Sequence, residues 1–473
     1  MKKICLNLFI SLCFLFTCSI SFAYKIPNLG SRANTTLNLQ QEAELGKEFM
    51  KLIKSQLPMS SDPVVIQYIQ NLGQRLVSAS NKPFRTFHFF VVNDGSINAF
   101  AAPGGYIGVN TGTILNAQSE SELAAVMAHE IAHVTQRHIA RGMAAQKTSQ
   151  IASIAGMLAA AVLGAINPLA GVAAMHASSA GAAQNSINFT RSHEKEADRE
   201  GMRILSKAGY SPKAMPAFFK RMQKLEGYSD ARTQLPEILY THPLTGNRVA
   251  EAENLANQYT KKKAYRTNNM FYLIQSDLLV QTSAHLQRLK HLLSESKDKN
   301  TVPYHYANAL LQYRLRDYKK SLDLINQLTK QHPKVWMFQL AKAQILLKNH
   351  QKKKSLALFK SLLDKQPMNY AILINYAQSL IQLKEYKKAL SILKETNDLF
   401  ASNEIYLSLL SQAQGRSGQL VEAYMTRAEL FNLNGEPKLA MVQLQQAKSH
   451  AKTPAQRHQV DFKIQLLKRN NRS

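Results

Sequence analysis

Four small residues, Ser321, Ser355, Ala389 and Ala423, follow one another at 34-residue intervals near the end of the chain. Twelve residues before each stands another small residue: Ala309, Ala343, Ala377 and Ser411. Pro333 and Pro367 stand twelve residues after the first two. Residue class and position agree over four units, so the chain repeats one supersecondary unit. A unit of this length cannot bury an apolar face alone and must stack on its neighbours. The spacing therefore predicts helix pairs crossing closely at the small residues, stacked into an α-solenoid.

The 34-residue period, with small residues on both helices and proline at the junction, is the tetratricopeptide (TPR) signature. Residues 268–300 read as a degenerate further repeat and EPKLAMVQLQQAKSH (436–450) as a capping helix. Solenoids of this kind are mostly binding surfaces, so a partner rather than chemistry is expected there.

The 473 residues leave room for two to three domains. Lys2 and Lys3, then ICLNLFISLCFLF, then small residues in Ser21–Phe22–Ala23, read as a secretory signal peptide over 1–23, with the mature chain starting at Tyr24. All three cysteines (Cys5, Cys13, Cys18) lie inside that segment. The mature chain then has no thiol, so it forms no disulfide and no cysteine-ligated metal site. The net charge of +28 suits nucleic acid, an anionic surface or plain solubility. Export and the lack of a nucleic-acid motif argue against nucleic acid, and peripheral membrane contact stays open. Residues 151–185 are nearly free of charge but too interrupted to span a bilayer, and read as two short helices in a core hairpin or at a membrane surface.

Residues 35–82 read as amphipathic helices, FHFFVVND (87–94) as a strand, and INAFAAPGGYIGVNTGTI (97–114) as β-prone pieces around a Pro-Gly-Gly turn. A helix follows, with Ser119 and Glu122 as a capping box and Gly142 as its stop. It contains AAVMAHEIAHVTQRH. Residues i and i+4 share a helix face, so His129 and His133 can aim both imidazoles at one zinc ion. Glu130, about 100° around the helix, can reach a water activated by the metal without ligating it. A catalytic site wants a third protein ligand. A third histidine ten residues after His129 is excluded, because Ile139 stands there. His138 lies on a different face and reads as a surface or packing residue. The helix SHEKEADREGMRILSKAGYSP (192–212) offers Glu194 and Asp198, again i and i+4: one can ligate while the other fixes an imidazole tautomer. Glu196 points elsewhere and is the alternative to Glu194 as third ligand, and His176 and His193 read as structural or solvated.

HEIAHVTQRH followed by EKEAD resembles the HtpX/BepA-like zinc metallopeptidases, with their HExxH and ExxxD pattern. The resemblance covers nearly all of the mature chain. It implies one Zn2+ per chain, Glu194 as third ligand, and Asp198 as the outer aspartate. NAFAAPGGYIGVNTG resembles the family's active-site edge strand, which implies that Asn98, Ala99, Phe100, Gly104 and Gly105 lie along an extended substrate. THPLTGNRVAEAENLA (241–256) resembles an element in which a histidine at the position of His242 takes the fourth zinc position and holds the enzyme closed. Arg248 reads as a partner of a nearby acid, a contact to the reacting carbonyl, or a plain surface salt bridge. Family members can carry a disulfide in the repeat part, and this chain cannot.

The expected fold is mainly α: a helical zinc metallopeptidase domain with a small β-sheet over 24–262, then a TPR solenoid over 263–473. The expected activity is that of a periplasmic zinc endopeptidase acting on unfolded or misassembled outer-membrane proteins, with the TPR part docking on the assembly machinery. The alternative is a TPR chaperone or adaptor in which proteolysis is secondary.

Overall fold

The computed structural model describes residues 38–81, 86–145, 183–227, 236–259, 265, 269–396 and 400–470. The expected signal peptide, most of the charge-free 151–185 segment and most of the expected boundary between the two parts fall outside these residues. No helix among the described residues is long and apolar enough to cross a membrane.

Helices α1 (Leu39–Gln56) and α2 (Pro63–Ser78) open the described chain. Asn38 caps α1 in a reciprocal capping box with Gln41, and Asp62 caps α2 through the amides of Val64 and Val65, with Pro63 preset for the first turn. Strands β1 (His88–Val92), β2 (Ala99–Ala102) and β3 (Tyr106–Asn110) form one sheet in the order β1-β3-β2. β1 runs parallel to β3, with Phe90 opposite Gly108, and β2 runs antiparallel to it, with Phe100 opposite Gly108. β2 is therefore an edge of the sheet.

After the short helix α3 (Thr111–Asn116) comes α4 (Glu120–Thr135), which carries the two histidines. Nearly every residue of α4 is buried. That explains its alanine-rich composition without lysine or arginine: a helix covered on all sides has no solvent face to show, and its three glutamates are themselves buried. Two details of its ends differ from expectation. Ser119 caps the helix by accepting from the Glu122 amide at 3.3 Å, but the Glu122 carboxylate turns to the Gln118 amide at 2.8 Å and to Arg221 at 2.7 Å, so the capping box does not close. The helix also stops at Thr135, not at Gly142. Arg137 takes a left-handed φ of 56° and turns the chain into a separate helix, α5 (His138–Ala145), which runs through Gly142.

Helices α6 (Ala183–Lys207), α7 (Ala214–Gly227), α8 (Ile238–Thr241) and α9 (Gly246–Tyr259) complete the N-terminal part. Gly209, with φ 90°, turns the chain after α6, as expected of a stop glycine.

Helix pairs then follow: α10 (Asn269–Thr282) with α11 (Leu286–Glu295), α12 (Val302–Arg314) with α13 (Tyr318–Gln331), α14 (Trp336–Lys348) with α15 (Lys352–Lys365), α16 (Tyr370–Gln382) with α17 (Tyr386–Lys394), and α18 (Glu404–Arg416) with α19 (Leu420–Leu433). The periodic small residues sit at the crossings and are buried. Ser321 and Ser355 each use the hydroxyl to reach the partner helix, donating to the carbonyls of Ala309 and Ala343 at 2.7 Å. EPKLAMVQLQQAKSH forms α20 (Pro437–His450), but α21 (Pro454–Asn470) packs beyond it, so α20 is not the last cap.

The repeat helices fold back on the N-terminal part. Gln67 of α2 accepts from the Ala371 amide at 2.7 Å, Gln275 donates to the carbonyls of Ile114 and Ala117 at 2.9 and 2.8 Å, and Lys54 of α1 pairs with Glu404.

Candidate metal centre

The buried helix α4 and the helix α6 cross at close range, and Gly201 allows it. A Cβ on Gly201 would lie 3.1 Å from the His129 backbone. This crossing brings Glu194 to the two histidines. Glu194 Oε2 lies 3.4 Å from His129 Nε2, and Oε1 lies 3.4 Å from His133 Nε2. The two Nε2 atoms are 3.0 Å apart. His242, at the C-terminal end of α8, adds Nδ1 at 3.3 Å from His129 Nε2 and 3.1 Å from Glu194 Oε1. One candidate ligand atom from each of His129, His133, Glu194 and His242 lies within 4.8 Å of all the others. Three imidazoles and a carboxylate converging in a buried space form a donor set suited to a divalent cation.

Electrostatics around the cluster are balanced rather than neutral. Burial opposes ionisation of Glu194, yet the His242 and His133 imidazoles beside it hold its carboxyl well below the usual range. Burial pushes His133 down to about 4, despite Glu194. For His129 burial acts downward too, but Asp198 and Glu194 outweigh it and raise the ring to about 10. Burial raises Glu130, with His242 and His129 pulling the other way. Glu130 is 1% exposed, and its Oε1 lies 3.4 Å from His242 Nε2. Beside it a small apolar recess is lined by Val126, Met215, Phe218, Met222 and Leu239.

Asp198, one helical turn beyond Glu194, holds the far side of the first histidine: its Oδ1 lies 3.0 Å from His129 Nδ1. Arg248 is only 4% exposed, which removes the reading of a surface salt bridge. Its Nε and Nη2 donate to Asp198 at 2.7 and 2.8 Å, and Nη1 approaches Glu194 at 3.0 Å and the Pro243 carbonyl at 2.8 Å. With all three nitrogens occupied, the guanidinium balances two buried carboxylates and pins the backbone next to His242.

The edge-strand residues divide. Ala99 is fully buried on β2 and Phe100 packs edge-on against Phe90 at 5.7 Å, on the sheet edge beside α4. Asn98 is buried and committed inward: its side-chain amide donates to Glu237 at 3.3 Å, while the Ile238 amide bonds the Ile97 carbonyl at 3.1 Å. These two bonds seat the segment that delivers His242. Gly104 and Gly105 do permit a close approach, but by the chain's own backbone. At Gly104 (φ 74°) the neighbour is Glu42–Ala43 of α1, and at Gly105 (φ 82°) a Cβ would meet the Thr86 carbonyl at 2.2 Å. On the side where a Cβ would point, both glycines thus serve the packing of the chain on itself.

Reasoning from the chain alone missed His138. It is 4% exposed, with Nδ1 3.1 Å from His133 Nδ1. His193 stacks on its ring at 4.1 Å and 7°, and Glu196 with Arg141 lies behind it. The helix-face count that put His138 elsewhere assumed an unbroken helix, and the left-handed Arg137 breaks it.

A buried HExxH helix, a carboxylate from a crossing helix and a solenoid of helix pairs define a metallopeptidase-type domain joined to a repeat array. Residues 64–256 match Peptidase family M48, and residues 306–352 and 346–413 match the tetratricopeptide repeat. The chain thus belongs to peptidase family M48 through its N-terminal part and carries TPR repeats after it. It is similar to the putative beta-barrel assembly-enhancing protease of Vibrio cholerae, 40% identical over 316 residues, covering 65% of this chain and 64% of that one. It is also similar to the beta-barrel assembly-enhancing protease of Escherichia coli, 36% identical over 321 residues, covering 67% and 65%. A more distant relative is the mitochondrial metalloendopeptidase OMA1 of Arabidopsis thaliana, 32% identical over 159 residues, covering 33% and 29%. The chain thus spans just under two thirds of the length of the first two relatives.

Proposed function

We propose that the chain is a periplasmic zinc endopeptidase that hydrolyses misfolded or stalled outer-membrane proteins and docks on their assembly machinery through its repeats. The convergence of His129, His133 and Glu194 beside Glu130 carries this reading. Zinc with ligands at about 2.0–2.1 Å in a tetrahedron places donors about 3.3 Å apart. The separations of 3.0 and 3.4 Å between these ligand atoms suit that geometry. His129, His133 and Glu194 would hold one ion per chain.

When bound, zinc would polarise a scissile carbonyl and lower the pKa of a water to about 7. Glu130 takes the proton of the attacking water as general base and passes it to the leaving amine. Its burial next to the ligands keeps bulk water from competing for that proton. An extended substrate adds alongside the edge formed by β2, so main-chain hydrogen bonds supply affinity with loose side-chain preference. Asp198 and Arg248 hold His129 and Glu194 in place while this happens. The names of the assembly-enhancing relatives support the substrate class, and the repeats support a protein partner.

His242 is the fourth candidate ligand and would leave the resting enzyme latent, with substrate or partner displacing it. His242→Ala is expected to raise peptidase activity or autolysis; unchanged proteolysis removes the switch. The central test is Glu130→Gln in the full chain. Zinc content by metal analysis should stay at one per chain while casein or peptide hydrolysis falls by about 10²–10⁴-fold. Full activity in that variant, or purified wild-type protein that binds no zinc, overturns the proposal. If complementation of an envelope-assembly defect survives Glu130→Gln in full, docking rather than hydrolysis is the main task.

A further inference from the structure

Each histidine of the HExxH pair has one ring nitrogen facing the ligand cluster and the other facing away. Behind His129 the outward nitrogen meets Asp198, an acceptor held by Arg248. Behind His133 it meets another imidazole: Nδ1 lies 3.1 Å from His138 Nδ1. Two ring nitrogens at that distance share one proton, so one donates and the other accepts.

The far side of His138 decides which. His138 Nε2 lies 3.2 Å from Glu196 Oε2, and Arg141 holds the same oxygen at 2.8 Å. An ionised carboxylate only accepts, so the proton of a neutral His138 sits on Nε2. Its Nδ1 is then a bare acceptor, and the proton between the rings belongs to His133 Nδ1. That leaves His133 Nε2 as a free lone pair directed at Glu194 and His129, the form a metal ligand needs. His193, stacked on His138 at 4.1 Å, fixes the plane of the ring. The chain of contacts runs from the cluster outward to Glu196, whose side chain is 39% exposed.

We propose that His138 is a positioning residue: through Glu196 and Arg141 it sets the tautomer and direction of His133, as Asp198 and Arg248 do for His129. This rests on the metal-site reading above. Removing such an outer partner weakens metal binding by about 10–100-fold.

The test uses the full-length protein and Zn2+ alone, with affinity read by competition against a chromophoric chelator. His138→Phe keeps a ring to stack on His193 but removes the acceptor. His138→Asn restores an acceptor at the δ position. The expected result is a loss of about 10–100-fold for His138→Phe, with much of it recovered in His138→Asn, and an unchanged melting temperature of the metal-free proteins. Glu196→Ala, made at the half-exposed end, should weaken Zn2+ binding several-fold in the same direction, and it decides the matter if His138→Phe does not fold. Wild-type affinity in His138→Phe, or in Glu196→Ala where the former cannot be studied, overturns the proposal. So does equal loss in His138→Phe and His138→Asn, which would mean that the acceptor is not what matters. A wild-type protein that binds no Zn2+ fails the metal-site reading instead, and is thereby told apart from failure of this one.

Discussion

The repeat array and the ligand cluster bury polar and small residues by opposite means. In the array, one solution recurs: a small residue on each helix at the crossing, with Ser321 and Ser355 bonding across at the same 2.7 Å in successive pairs. In the cluster nothing recurs. His129 and His133 come from α4, Glu194 and Asp198 from α6, His242 from the end of α8 and Arg248 from α9, and each charge is matched by a different neighbour. An array built from repeated local contacts spreads a defect over equivalent neighbours. A balanced buried cluster has no spare partner for any member.

The sharpest way to break that contrast is Arg248→Met. The change leaves Asp198 and Glu194 buried without their cation, and removing one partner of a buried pair costs about 3–5 kcal/mol. Thermal unfolding should show it as a larger loss than any change in the array, and Arg248→Met with Asp198→Asn should recover part of it. If Arg248→Met unfolds like wild type, charge balance is not what holds the cluster. The array should respond less to Ala343→Leu. Ala343 is fully buried at a helix crossing, and overpacking there costs about 1–3 kcal/mol. Zinc content should be unaffected; loss of zinc would show that the two regions are more tightly coupled than their contacts suggest. Smaller again is Ser355→Ala, which removes one buried hydrogen bond worth about 1 kcal/mol. Ser321→Ala should match it within about 0.5 kcal/mol, since the contact is the same. Clearly unequal losses would show that the repeats are not equivalent.

The same contrast sets what a linear reading could recover. The array was legible because periodicity states the contact: residues 34 apart do the same job, so the crossing positions follow from spacing alone. On α4 the i, i+4 rule placed His129 and His133 together for the same reason. His242 and Arg248 had no periodic link to the site and entered only through family resemblance. His138 was lost because one left-handed residue, Arg137, reset the helix phase, and no pattern in QRH announces that. At Gly104 and Gly105 the close neighbours, α1 and Thr86, depend on long-range packing that spacing does not encode.

A last, smaller effect lies where the two parts meet. Asp62 caps α2 through the Val64 amide at 2.7 Å and also accepts from Gln281 of α10. Asp277, 6% exposed on the same helix, faces it, and no salt bridge reaches either carboxylate among the described residues. Burial raises both carboxyls above the ordinary aspartate range, and Asp62 raises Asp277 further. Above the unfolded value of about 3.9 the native state therefore binds more protons than the unfolded chain. The contribution of such a group to stability is complete below that pH and is lost as pH climbs toward the folded value. Here the contrast with Glu194 and Asp198 is direct: those carboxyls are held low by cationic neighbours and support the fold at neutral pH, whereas Asp277 opposes it. Asp277→Asn keeps the shape and removes the titrating group, so it should raise stability at pH 7 by about 0.5–1 kcal/mol, after losses in hydrogen bonding, and change little at pH 4. Melting curves at the two pH values read this directly. The same difference between pH 4 and pH 7 in wild type and Asp277→Asn would show that the pair carries no such cost, and that burial at the junction does not weigh on these carboxyls.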